Sequence, residues 1–254
     1  MKTYIKYIII SLSLILFSIT AQGNTAITLN KVDINIDDHE ALQRGAKVFF
    51  DKCQGCHGLK YIRYIDLANG IGLKETKDKS LIQIIKETLI HSNDSINENN
   101  IIESSINKEN GMKWFGKVIP DLSLISRYRG DDWIYTYMQS FYKDTSRPWG
   151  VNNLIFPDVG MPHILLNLQG LQVLKQDNIK NNVPNELLEL IEKGDLSQEE
   201  YNNLIKDLVT FLSYVGEPIQ SERKTIGYWV LGFLSILTIL VFLLKREYWR
   251  DINK

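Results

Sequence analysis

The sequence predicts a mainly α protein: one exported helical domain with long loop insertions, followed by one C-terminal transmembrane helix. Three observations carry this. Apolar residues recur at helical spacing over 38–51 and 197–216, proline and glycine break up 147–170, and Ile226–Leu244 runs about 19 residues without a charge. At 254 residues, 44% hydrophobic and 23% charged, the chain suits one globular domain of ordinary core size plus membrane segments.

The N-terminus carries Lys2 and Lys6, an apolar run centred on Ile8–Ile19, and then Ala21-Gln22-Gly23, a small-x-small pattern where a signal peptidase can cut. Residues 1–23 therefore read as a secretory signal peptide, with an uncleaved anchor as the alternative. Either way the domain over 24–222 is exported. The net charge of −1 becomes −3 without Lys2 and Lys6, and the +2 tail from Lys245 to Lys254 leaves −5 in between. That mild acidity suits a basic soluble partner, although ordinary solubility explains it equally well; no nucleic-acid partner is expected.

The first helix spans 38–51, with Ala41, Leu42, Val48 and Phe49 inward and Asp37 or Asp38 as N-cap. Gly45 inside it costs helix propensity and points to a close helix crossing. A loop is expected over Gly58–Tyr64, a helix over Asp78–Ile90, and a solvated connection with one short helix over His91–Asn110. Pro120-Asp121-Leu122-Ser123 reads as a turn opening a short helix that ends near Arg129-Gly130. Another helix starts at Asp131, with Trp133, Tyr137 and Phe141 on one face, a pattern that reads as core rather than cofactor contact. Ser197 and Glu200 form a capping box, with Leu196 and Tyr201 as hydrophobic staple, for a core helix that stops at Gly216-Glu217-Pro218. The anchor is placed at 223–246, and the basic, aromatic tail 247–254 at the cytoplasmic face.

The chemistry centres on Cys53-Gln54-Gly55-Cys56-His57, which contains both cysteines of the protein. Two thiols one helical turn apart can add to the two vinyl groups of one porphyrin, and the adjacent imidazole then lies beneath the iron. The motif thus reads as the attachment site of one covalent haem c, with His57 as proximal ligand. A redox dithiol is the main competitor, but the βαβ context it needs is lacking. Zinc would want a second ligand pair, and His39, His91 and His163 are scattered singly. An electron-transfer haem needs a second strong axial ligand. Met1 leaves with the signal peptide, Met138 sits within a helix and Met112 precedes the Pro120 segment, which leaves Met161 in a Pro/Gly-bounded loop where a ligand can be aimed. His163 is the rival, and Pro162 makes it hard for both to face one iron.

These residues carry a resemblance. The run LQRGAKVF leading into CQGCHGLKYIRY, then GKVIPDLSLISRYRG, NNLIFPDVGMPH and GEPIQSERK before the single span and KREYW, resembles cytochrome c1 of bacterial cytochrome bc1 complexes over essentially the mature chain. The resemblance implies a class I cytochrome c-like helical fold in which Cys53 and Cys56 hold the haem and His57 and Met161 ligate its iron. It implies that the Pro120 carbonyl accepts from the His57 ring and that Arg129, rather than Arg127, pairs with a haem propionate. Trp133 stands where some relatives have Tyr, which puts a phenolic propionate bond there in doubt. Further implications are an electron-transfer role between a Rieske iron–sulfur protein and a soluble or membrane-bound cytochrome c, cytochrome b and membrane lipid as neighbours, and a dimeric complex. That complex, quinol:cytochrome c oxidoreductase, sits in the bacterial inner membrane with the haem domain on the periplasmic side and contributes to proton translocation. The subunit is then redox-active without a bond-making site of its own. The competing functions are a stand-alone tethered cytochrome, against which the inserted segments argue, and a gas-binding haem sensor with an open iron position.

Overall fold

The computed structural model describes residues 27–90, 97–175 and 184–250, so the signal-peptide reading of 1–23 and the last residues of the tail lie outside the described part. Helix α1 (His39–Lys52) begins where the Asp38 carboxylate accepts the backbone N–H groups of Glu40 and Ala41, satisfying donors the first turn leaves orphaned. It buries Ala41, Leu42, Gly45, Ala46, Phe49 and Phe50. Their partner is α9 (Gln198–Gly216), whose start carries the expected capping box of Ser197 and Glu200. A Cβ at Gly45 would stand 2.1 Å from the Asp207 carbonyl oxygen, so the two backbones touch there. The Phe49 and Phe211 rings meet at 5.6 Å and Arg44 pairs with Asp207 at 2.6 Å across the same crossing. Fully burying Leu42, Phe49, Ile205 and Phe211 contributes about 1.5–3 kcal/mol each, and this pair of helices is the centre of the core.

Between the two core helices the chain makes short elements. Strand β1 (Leu59–Arg63) leads into α2 (Tyr64–Gly70); α3 (Leu81–Thr88) follows, then β2 (Ile101–Ile102) and α4 (Lys108–Phe115). The expected loop over 58–64 is thus a strand in its middle, antiparallel to β2. Leu59 and Ile62 are buried among polar neighbours, a spacing that does not alternate as strands do, and the partner lies some 40 residues away. Helix α3 starts at Leu81, later than the expected 78, because Ser80 and Gln83 form a capping box.

Helices α5 (Ile125–Arg129) and α6 (Asp131–Gln139) meet at Gly130, whose φ of +86° is open to glycine at little cost. Helix α6 stops before Phe141, which belongs to strand β3 (Phe141–Lys143), paired with β4 (Val151–Asn153). The expected three-aromatic face survives the change: Tyr137 and Phe141 still meet edge to face at 5.2 Å. A single turn α7 (Leu166–Gln169) feeds β5 (Gly170–Leu174), which pairs with β6 (Leu188–Lys193) after α8 (Pro184–Leu187). The Gln172 amide donates to the Gln139 and Phe141 carbonyls at 3.0 Å each, fastening this hairpin to the end of α6.

Helix α10 (Gln220–Trp249) contains the expected anchor and extends it at both ends. It is long and apolar enough to cross a membrane, and none of its apolar window is buried. Its base is tied to the domain: Glu217 pairs with both Arg127 and Arg223, and Ser221 donates to Asp37 at 2.9 Å.

Candidate haem site

Helix α1 runs out directly into the cysteine motif. The Cys53 and Gln54 N–H groups both bond the Phe49 carbonyl, at 2.8 and 2.9 Å, and the Cys56 and His57 N–H groups both return to the Cys53 carbonyl, at 3.0 and 2.8 Å. One tight turn therefore presents both sulfurs and the imidazole together. The two cysteines are free thiols, Cys53 buried and Cys56 partly so. Burial pushes the Cys53 thiol up to about 12 and raises that of Cys56. A redox dithiol needs the opposite shift. Among the described residues no cluster of three or more cysteine, histidine or carboxylate side chains forms, so zinc finds no further partners here.

The His57 Nδ1–H donates to the Pro120 carbonyl at 2.8 Å, which leaves the Nε2 lone pair as the ring's free donor toward a metal. Burial lowers the imidazole pKa against the raising influence of that carbonyl and of Asp121, which favours the neutral form, the one that ligates. Three further bonds stitch the two segments side by side. Leu122 N–H donates to the Gly58 carbonyl at 2.9 Å, Lys60 N–H to the Asp121 carboxylate at 3.1 Å, and Tyr61 N–H to the Ser123 hydroxyl at 3.3 Å. The imidazole is thus aimed from both sides. Two unbridged thiols, one a turn before the oriented imidazole and one directly before it, are a donor set that fits a covalent haem.

Met161 lies in the loop after β4, packed beside Phe141, Val151 and Val159. Its sulfur accepts from the Tyr137 hydroxyl at 3.5 Å. Tyr137 stacks on Trp133 at 5.0 Å and 12°, and burial raises its phenol pKa above the usual range. The guanidinium of Arg129 lies over Trp133 at 4.7 Å and over Phe156 at 5.5 Å, so Arg129 and Met161 border one aromatic cluster. Arg127 instead pairs with Glu217, away from that cluster. His163 lies flat on Phe141 at 4.7 Å and 1°. Burial pushes its imidazole down to about 4 despite the nearby Gln169, and neither ring nitrogen has a partner at hydrogen-bond geometry among the described residues.

The loops bearing Pro120 and Met161 also touch. Lys117 reaches the Asp158 carbonyl at 3.4 Å, and Phe115 meets Trp149 at 5.3 Å. The contact of the Tyr137 hydroxyl with the Met161 sulfur was invisible in the sequence, where its helical spacing reads as core.

The Cytochrome C1 family model matches residues 33–252. A cytochrome c1 of Allochromatium vinosum is 42% identical over 228 residues, covering 89% of this chain and 90% of that protein. A protein of Nitrosomonas europaea named ammonia monooxygenase gamma subunit is 39% identical over 251 residues, covering 98% and 99%. Among solved structures, a chain titled "Hyperthermophilic respiratory Complex III" aligns over 99% of both chains, with a TM-score of 0.46 and 13% identity. Since the family match spans the cysteine motif, the Pro120 segment, the Met161 loop and α10, the chain belongs to the cytochrome c1 family.

Proposed function

We propose that this chain is the haem c-bearing electron-transfer subunit of a quinol:cytochrome c oxidoreductase, anchored by α10 in the bacterial inner membrane with its domain on the periplasmic side. The carrying observation is the turn that presents two free thiols and an imidazole already oriented by the Pro120 carbonyl. Cys53 and Cys56 would hold one haem through thioethers, and His57 Nε2 and Met161 Sδ would be its iron ligands. Bound there, the group supplies a one-electron couple. The protein's part is to fix both ligands, exclude water and leave one edge reachable. Arg129 spends the faces of its guanidinium on aromatic rings, which keeps its N–H edge for a propionate.

In this reading the electron arrives from a Rieske iron–sulfur protein and leaves to a soluble or membrane-bound cytochrome c, with cytochrome b and lipid beside α10 in a dimeric complex. Lys245, Arg246 and Arg250 beyond the span support the orientation. His163, whose ring nitrogens have no hydrogen-bond partner among the described residues, is the alternative distal ligand. A second reading of the assembly follows from the Nitrosomonas relative: the same haem domain serving a membrane monooxygenase.

Purification from membranes in mild detergent tests both. Cytochrome b and a Rieske protein should co-purify with a haem c difference spectrum; monooxygenase subunits in their place would carry the second reading. Cys53→Ala with Cys56→Ala should abolish the covalent haem stain. Met161→Ala should keep haem attached, lower the midpoint potential and open the iron to carbon monoxide, whereas the same result from His163→Ala alone would transfer the ligand role to His163.

A further inference from the structure

Tyr137 is held more tightly than a packing residue requires. Its ring is stacked on Trp133 and met edge-on by Phe141 at 5.2 Å and Phe156 at 6.4 Å. Its backbone carbonyl accepts from the Asn153 amide at 2.8 Å, and the Asn153 side-chain oxygen accepts from the N–H groups of Ile155 and Phe156 at 3.1 and 3.2 Å. One asparagine thus ties α6 to the start of the loop that carries Met161, and the hydroxyl-to-sulfur approach is set from both ends. A phenylalanine would fill the same space. What the hydroxyl adds is one bond, to the Met161 sulfur, in a partly buried aromatic surround.

We infer that Tyr137 is a positioning and tuning residue for the distal iron ligand: its hydroxyl occupies one lone pair of Met161 Sδ, leaves the other for the iron, and raises the haem potential. This rests on reading Met161 as that ligand. A thioether sulfur has two lone pairs and is a weak acceptor. When one accepts a proton donor, electron density is drawn from the sulfur, the sulfur becomes a poorer donor to iron, and oxidised iron loses more by this than reduced iron. Hydrogen bonds around an axial ligand are one of the levers a protein has on a haem. Fixing which lone pair is taken also fixes from which side the sulfur approaches the metal.

Tyr137→Phe in the full-length, haem-loaded protein is the test. The haem should stay attached and the sulfur-to-iron charge-transfer band in the far red should persist. The ferric-to-ferrous ratio at a fixed ambient potential should rise about fivefold, the scale of one lost neutral hydrogen bond, which is about 40 mV at 59 mV per tenfold. In the unsubstituted protein, a redox-difference infrared spectrum should show a phenol band that responds to oxidation and to deuterium exchange, and the variant should lack it. An unchanged potential in Tyr137→Phe, or the absence of that band in the native protein, overturns the inference. Met161→Ala keeps the two readings apart: loss of the charge-transfer band there upholds the ligand whatever Tyr137→Phe does, and its persistence sinks the ligand and this inference together.

Discussion

Asp132 holds the N-terminal segment to α6 through two bonds, one from the Val32 N–H at 2.9 Å and one from the Lys31 ammonium at 2.7 Å. Partial burial pushes its carboxyl up, but these donors outweigh it, and its pKa lies below the ordinary 3.8. In acid the unfolded chain therefore takes up a proton before the folded one, so the stabilisation is fully present above the unfolded value and is lost as pH falls through the folded one. Asp132→Asn is expected to cost about 1 kcal/mol at neutral pH and to converge with the native protein in acid below both values, as paired thermal melts would record. Lys31 is mostly exposed and adds little, so the backbone N–H carries most of this. Residues of this kind are poorly legible in sequence because their partners lie about 100 positions away. The turn that gathers Cys53, Cys56 and His57 was legible for the opposite reason: its members lie within five consecutive residues. The Tyr137–Met161 contact was not, because an aromatic at helical spacing looks the same whether or not its hydroxyl has a partner.

The crossing of α1 and α9 turns on Gly45. Intrinsic propensity alone would have alanine there stabilise the helix by about 1 kcal/mol. The Cβ would instead stand 2.1 Å from a backbone carbonyl oxygen and 2.7 Å from Phe211 Cβ, and neither can withdraw without moving the packed helices. Gly45→Ala is therefore expected to destabilise by about 2–3 kcal/mol, lowering the melting temperature by several degrees; a gain would disprove the close crossing. Both helices were readable because their caps and stripes are local: Asp38 before α1, and Ser197 with Glu200 before α9. The β1–β2 ladder was not, since β2 is two residues long and its register is irregular. The β5–β6 hairpin was equally silent, because its outer strand exposes nearly every side chain and no alternation announces it.

At the scale of the whole molecule, Glu217 joins the domain to its anchor. The arginines of α5 and α10 share its carboxylate, and both they and its low exposure make Glu217 the hinge pin of the junction. Arg223 above all, with Arg127, holds that carboxyl below its ordinary range. Glu217→Gln should leave the haem potential unchanged and speed limited proteolysis between 216 and 224 in the detergent-solubilised protein, because the two arginines lose the carboxylate they share. Equal cleavage rates would show that packing alone fixes the anchor.

The bonds that run the segment after His57 alongside Pro120–Ser123 have a consequence for how this chain can change. Together with the bonds from Tyr64 N–H to the Asn100 carbonyl and from Ile65 N–H to the Glu98 carbonyl, they form a neck through which an excursion of the chain leaves and returns. Beyond that neck, residues added in the exposed connections between the helices cost loop closure, about 0.6 kcal/mol for each doubling of length. The excursion can therefore lengthen or change its exposed surface to suit a different neighbour, while Leu67, Ile71 and Ile85 keep it packed on the core and the His57 imidazole stays where it is.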